Sequence, residues 1–138
     1  MPRWPWAAVL ALVPACGGSL PMPQTSTHPE SAFIEVPYPP PAALVEVVPD
    51  APDADSVWVD GNWVWRGRHY VWQRGGWVHA PEQAGYATWQ AHLASDGRLL
   101  FAPGSWYDEQ HHPLDAPEPL RVARTPPNQT TSETEVAR

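Results

Sequence analysis

The stretch SVWVDGNWVWRGRHYVWQRGGWV, residues 56–78, states one phrase twice: WVDGNW at 58–63 and, fourteen residues later, WQRGGW at 72–77. Each copy sets two tryptophans around a dipeptide that ends in glycine, Asp60-Gly61 and Arg74-Gly75. Such dipeptides suit two-residue hairpin turns, in which glycine supplies a positive φ, and Gly67 suits the first position of a turn between the copies. Two-residue loops fix register, so opposed residues follow by arithmetic. The spacing predicts a four-stranded meander with Trp58 facing Trp63, Trp63 facing Trp72, and Trp72 facing Trp77. Val57, Val64, Val71 and Val78 form the adjacent row.

Alternation along strands then separates two faces. One carries Trp58, Trp63, Trp65, Tyr70, Trp72 and Trp77; the other carries the valines with Asn62, Arg66, His69 and Gln73. A buried tryptophan removes ~150–250 Å² from water, and aromatic pairs add about 0.5–1.5 kcal/mol. The aromatic face is therefore the expected core. Downstream, FAPGSW at 101–106 is a looser third copy (Phe101, Gly104, Trp106), and YATWQA at 86–91 is a degenerate one. Three more strands are expected near 87–93, 98–102 and 105–107, and ALVEVV at 43–48 suggests an added strand. The fold class is all-β: an antiparallel meander of about six to eight short strands. Such a repeat sheet could fold as a sandwich or a partly closed barrel, with disordered Pro-rich flanks.

Composition limits what surrounds this sheet. Nineteen prolines in 138 residues cluster on either side of the tryptophans, and the only cysteine is Cys16. The charge is −7, with eight arginines and no lysine, which leaves no basic stripe for a nucleic-acid backbone. Residues 1–15 have the form of an export signal: Arg3, an apolar run too short to span a bilayer, then VPAC-GGS. That ending resembles a bacterial lipobox in which Cys16 becomes the lipidated first residue; cleavage nearby without lipidation is the alternative. The expected organisation is a signal peptide at 1–15, a Pro-rich spacer at 16–42, the β-domain at 43–108 and a disordered tail at 109–138.

The repeats and the Pro-rich lead-in PYPPPAALVEVVPDAP at 37–52 resemble the bacterial WxxGxW (YXWGXW) repeat family. The likeness covers residues 37–78 well and runs more loosely to 107. It implies a small exported or lipid-anchored envelope protein, and it carries no catalytic residue across. With Gly17 after the cysteine, outer-membrane delivery is permitted, facing the periplasm or the cell surface; a secreted or periplasmic protein is the alternative.

No reaction is legible in the residues. Ser105 lacks the glycine and helix of a nucleophile elbow. Asp60 is a turn residue, and Glu46, Asp53 and Asp55 are acids without an evident partner. His69 and His79 fall on opposite faces, and His111-His112 with Asp108 and Glu109 lacks a fixed third ligand, so no metal site or cofactor is expected. The alternative to a structural role lies in the aromatics: Trp65 and Tyr70, with Arg66 and Arg68, could present a stacking edge to a cell-wall or surface glycan. The primary expectation is a non-enzymatic lipoprotein with a structural or protein-binding role, whose partners are the membrane, through its anchor, and an envelope protein or glycan.

Overall fold

The computed structural model describes residues 18–127, and the fold is all-β with small antiparallel sheets. Residues 1–17, which hold the expected signal peptide and Cys16, and residues 128–138 lie outside the described residues. Among the described residues there is no α-helix, only one turn of 3-10 helix at Glu30–Ala32, and no sheet closes into a barrel.

The repeat region folds as two long hairpins, each interrupted midway. In the first, β2 (Val57–Val59) pairs with β5 (Gly76–Val78), and β3 (Asn62–Trp65) pairs with β4 (Tyr70–Gln73). Trp63 faces Trp72 and Val64 faces Val71 as expected, but Trp58 faces Trp77 rather than Trp63. All these pairs obey the one register set by the tip at Gly67, whose φ is +71°. Asp60-Gly61 and Arg74-Gly75 are therefore not turns; they lie across from each other at the interruption. Neither Gly61 nor Gly75 has a positive φ. The expected meander is thus one broken hairpin.

The second hairpin repeats this plan. Its outer pair is β6 (Gly85–Ala87) with β9 (Ser105–Tyr107), and its inner pair is β7 (Gln90–Leu93) with β8 (Leu99–Ala102). Tyr86 faces Trp106 where the first hairpin has Trp58 and Trp77, and Ala91 faces Phe101 where it has Trp63 and Trp72. The tip glycine is Gly97, at φ +86°.

A continuous arm also changes the faces. Trp58 and Trp63 are five residues apart, an odd step, so they point to opposite sides. Trp58 and Trp77 pack with Ala123 and Val48, whereas Trp63, Trp65 and Tyr70 pack with Phe101, Trp89, Leu99 and Val36. The expected single aromatic face is therefore split. On the outer half the valines meet the second hairpin: Val57, Val59 and Val78 pack with Tyr86, Trp106 and Leu114.

The flanks join the fold. β1 (Ile34–Glu35) adds to β8, β10 (Pro113–Leu114) adds to β9, and β11 (Arg121–Val122) adds to β5. Residues 109–127, expected as tail, thus supply two strands. Residues 18–42, expected as spacer, pack on both hairpins: the Pro21 carbonyl accepts from Trp58 N at 2.8 Å, and Gln24 and Ser26 bond to the Tyr86 backbone. Proline lacks an N–H but keeps its carbonyl, so a Pro-rich strap can satisfy a neighbour while needing little in return. The expected strand at 43–48 shrinks to a single bridge between Val47 and Arg124.

Candidate functional site

The motif tryptophans are tied into the scaffold through both ring and N–H. Their rings meet edge to face across the strands, Trp58–Trp77 at 5.5 Å and Trp63–Trp72 at 5.0 Å between centroids. Every one of these four indole N–H groups donates within the chain. Trp58 donates to Asp60 Oδ1 (2.7 Å), Trp63 to the Ala42 carbonyl (3.2 Å), and Trp77 to the Pro49 carbonyl (2.7 Å). Trp72 donates to Glu46 Oε1 at 2.9 Å, while Glu46 Oε2 accepts from Gly75 N, also at 2.9 Å. Three of the four acceptors come from residues 42–49. Glu46, a lone acid in ALVEVV by sequence, is a clamp across the hairpin's interruption. The only sign of it was a charge set among apolar residues.

The glycines of the motif answer to space rather than to φ. A Cβ on Gly61 would run into the Trp72 indole, and a Cβ on Gly75 would lie 2.8 Å from Trp58 Cζ2. The relation is reciprocal: the fourth residue of each copy clears the first tryptophan of the other. It recurs in the second hairpin, where a Cβ on Gly104 would run into the Tyr86 hydroxyl. On the other arm Trp89 takes the glycine's place, and its ring lies 6.5 Å from that of Phe101, which stands where the first hairpin has Trp72.

The residues singled out for stacking do not form one open surface. Tyr70 is buried; its hydroxyl donates to the Tyr38 carbonyl at 3.1 Å, and the Trp65 and Phe101 rings cover it at 4.9 and 5.1 Å. Burial, with Tyr38 nearby, raises the pKa of the Tyr70 hydroxyl. Trp65 is half-buried, edge to face with Tyr38 at 5.3 Å. Arg66 and Arg68 are exposed at the tip, where the Arg68 carbonyl accepts from the Tyr38 hydroxyl at 2.7 Å.

A more enclosed space lies between the hairpins, where their two interruptions meet. A cleft of about 190 Å³ is bounded by Val59, Val78, Trp106 and Leu114, with prolines of the 113–119 arm along its rim. Asp60, Asn62, Arg74, Tyr86 and Ser105 bring polar groups to it. A smaller space of about 100 Å³, reaching Met22 and Trp89, shares Asp60, Asn62 and Tyr86 as its wall. Asn62 is 6% exposed, and its Oδ1 accepts from Gly104 N at 3.3 Å, tying one hairpin to the other. Burial, and secondarily the charge of Asp60, push the Tyr86 hydroxyl up to about 12.

The histidines pair singly. His79 Nε2 lies 2.8 Å from Asp53 Oδ2, and His112 Nδ1 lies 3.0 Å from Asp108 Oδ2. The His79 hydrogen bond lowers the Asp53 pKa, and backbone donation from His112 lowers that of Asp108. His28 bridges the N-terminal flank to the second hairpin through the Tyr107 hydroxyl (2.9 Å) and the Thr88 carbonyl (2.7 Å). Among the described residues no three potential ligands gather for a metal ion. Comparison with known proteins finds no matching family model, no similar curated protein and no similar solved structure.

Proposed function

We propose that this chain is a non-enzymatic envelope lipoprotein, anchored through Cys16, whose twin-hairpin domain is a rigid structural or protein-binding module at the outer membrane. The observation that carries the structural half is the fate of the motif. All four of its tryptophans in the first hairpin donate their N–H groups within the chain. A motif spent on its own scaffold marks a repeat kept for shape. The anchoring half rests on the export-like leader, the VPAC-GGS ending and the resemblance to WxxGxW repeat proteins.

The fold sharpens what an anchor would do. Pro21 is bonded to the domain, and an anchor at Cys16 would stand five residues before it. Five residues reach at most roughly 17 Å. The Pro-rich stretch then serves as part of the domain, and the domain rides close against the bilayer. Intact-mass analysis of the protein expressed from its own leader in a bacterial host tests this reading. The expected result is a mature chain beginning at Cys16 and carrying acyl groups, in the membrane fraction. An unmodified thiol, or cleavage at another residue, would sink the anchor.

A further inference from the structure

We infer that the cleft between the two hairpins is a binding site for a neutral sugar residue, at a place distinct from the Trp65–Tyr70 edge. The polar groups around it keep capacity to spare; Arg74, for one, spends a single N–H on Thr125 Oγ1, at 3.5 Å. Asp60 uses one carboxylate oxygen on the Trp58 indole, leaving the other. The Asn62 carboxamide is fixed by its bond from Gly104 N, and its NH₂ finds no acceptor among the described residues. The Tyr86 hydroxyl likewise has no hydrogen-bond partner among the described residues. No polar side-chain atom there is both sealed from solvent and unpartnered, so neither group is fully sealed, and both residues line the cleft.

The chemistry of these groups selects the ligand class. A sugar hydroxyl donates and accepts at once, and the cleft offers both: acceptors at Asp60 and Ser105, donors at Asn62 and Arg74, and a hydroxyl of either sense at Tyr86. The Ser105 hydroxyl donates to the Pro103 carbonyl at 3.2 Å, which leaves its lone pairs for a ligand. An anion would meet Asp60 and a chain of charge −7, and a cation would meet Arg74. Valine, tryptophan and proline walls suit the C–H faces of a sugar ring. At about 190 Å³ the cleft is smaller than the roughly 300–1,000 Å³ typical of drug-sized ligands, so one ring or a chain end is the scale it fits. Its best-fixed element is Asn62, at 6% exposure, a donor held in place by the fold before any ligand arrives.

Calorimetric titration of the full chain tests this with neutral trisaccharides of glucose, galactose, mannose and N-acetylglucosamine. At least one should bind, with Kd below about 1 mM. Tyr86→Phe should weaken that binding about tenfold while leaving the thermal midpoint unchanged or raised, because the lost hydroxyl has no partner among the described residues. Ala116→Trp, at an exposed position on the cleft rim, should abolish binding without unfolding the chain. No binding across the panel would overturn the inference. So would binding that survives both variants and is lost in Trp65→Ala, which would place the ligand on the aromatic edge. None of these results depends on lipidation, which the mass measurement decides separately.

Discussion

Alanine at Gly61 and alanine at Gly75 occupy the same position of the repeat, yet the structure requires them to fail differently. A Cβ at Gly75 would stand 2.8 Å from each of three atoms: Trp58 Cζ2, Gly61 N and Val59 O. Two of those are backbone on the opposing arm, so the arms themselves must part. At Gly61 the obstructing atoms belong to side chains, the Trp72 indole and Glu46 Oε2. Overpacking of this kind costs about 1–3 kcal/mol. Either Cβ also disturbs the bond from Gly75 N–H to Glu46 Oε2, a charge-assisted contact worth about 1.5–3 kcal/mol, at Gly61 by pressing on the acceptor and at Gly75 by shifting the donor. Side chains can yield at Gly61 and backbone cannot at Gly75, so Gly75→Ala should cost roughly 4–6 kcal/mol and Gly61→Ala roughly 2–4 kcal/mol.

The second hairpin supplies the rescue. There the position of Gly61 holds Trp89, and the position of Trp72 holds Phe101. Phenylalanine lacks the outer ring atoms of indole, so Trp72→Phe should relieve Gly61→Ala. The double variant should be at least about 1 kcal/mol more stable than the sum of the single losses predicts. Trp58→Phe should not relieve Gly75→Ala, because the backbone atoms stay where they are. Gly67→Ala is the control: nothing lies within 4 Å of its Cβ, but its φ is +71°, so it should cost only about 1–2 kcal/mol. Urea unfolding followed by tryptophan fluorescence measures all of these. If Gly61→Ala and Gly75→Ala are equally damaging and equally rescued, or if Gly75→Ala is no worse than Gly67→Ala, reciprocal clearance is not the reason for the motif's glycines.

Other perturbations follow from the same contacts. Glu46→Gln keeps the shape but turns an NH₂ toward one of two N–H donors; unfolding free energy should fall by about 1.5–3 kcal/mol, measured by urea titration. Tyr86, whose hydroxyl is pushed up to about 12 from an ordinary value of 10.0, makes the fold sensitive to alkali. Its folded pKa is the higher one, so its contribution is complete below pH 10 and is lost as pH rises toward 12. Roughly 3 kcal/mol is at stake, and Tyr86→Phe should flatten the slope of stability against pH over that window. Tyr70, also raised, adds a residual slope of the same sign.

How far the sequence could carry these conclusions varies by residue. The inner pairing of Trp63 with Trp72 and Val64 with Val71 was legible because the Gly67 tip fixes it locally. The outer pairing was not. A motif with tryptophan at both ends puts tryptophan opposite tryptophan whether the chain turns at each glycine or only at Gly67. What separates the two folds is why glycine is there, positive φ or clearance, and that depends on Trp58 and Trp72 from the other arm. The three later strands were placed to within a few residues, although 87–93 is broken in two by the interruption. The strands within 109–127 and the acceptors at 42–49 left little trace in the sequence because their partners are remote. Arg121 and Val122 pair with β5, and Ala42, Glu46 and Pro49 accept from indoles; neither leaves a local periodicity. The inter-hairpin cleft needs both hairpins at once, so Asn62 and Tyr86 gave no sign of sharing it.

The flanks also decide where the folding unit ends. A fragment of residues 43–108 keeps both hairpins but loses β1, β10 and β11, which leaves every sheet two-stranded. Isolated two-stranded hairpins are at best marginal in water. The fragment also loses Val36, 3% exposed, and Ala123, 1% exposed, the latter packed on Trp58 and Trp77. If about 200 Å² of apolar surface is uncovered, the loss is roughly 5 kcal/mol at 25 cal/mol per Å². The Trp58 N–H loses the Pro21 carbonyl and the Tyr86 N–H loses the Gln24 carbonyl, at about 1–3 kcal/mol each if they stay buried. Together these losses match the 5–15 kcal/mol stability of an ordinary domain, so the fragment should not fold. Residues 18–127 should give dispersed amide resonances and a cooperative melt, and residues 43–108 should give neither. A fragment 43–108 that melts cooperatively near the midpoint of 18–127 would show that the hairpins support themselves, and that the Pro-rich arms only decorate them.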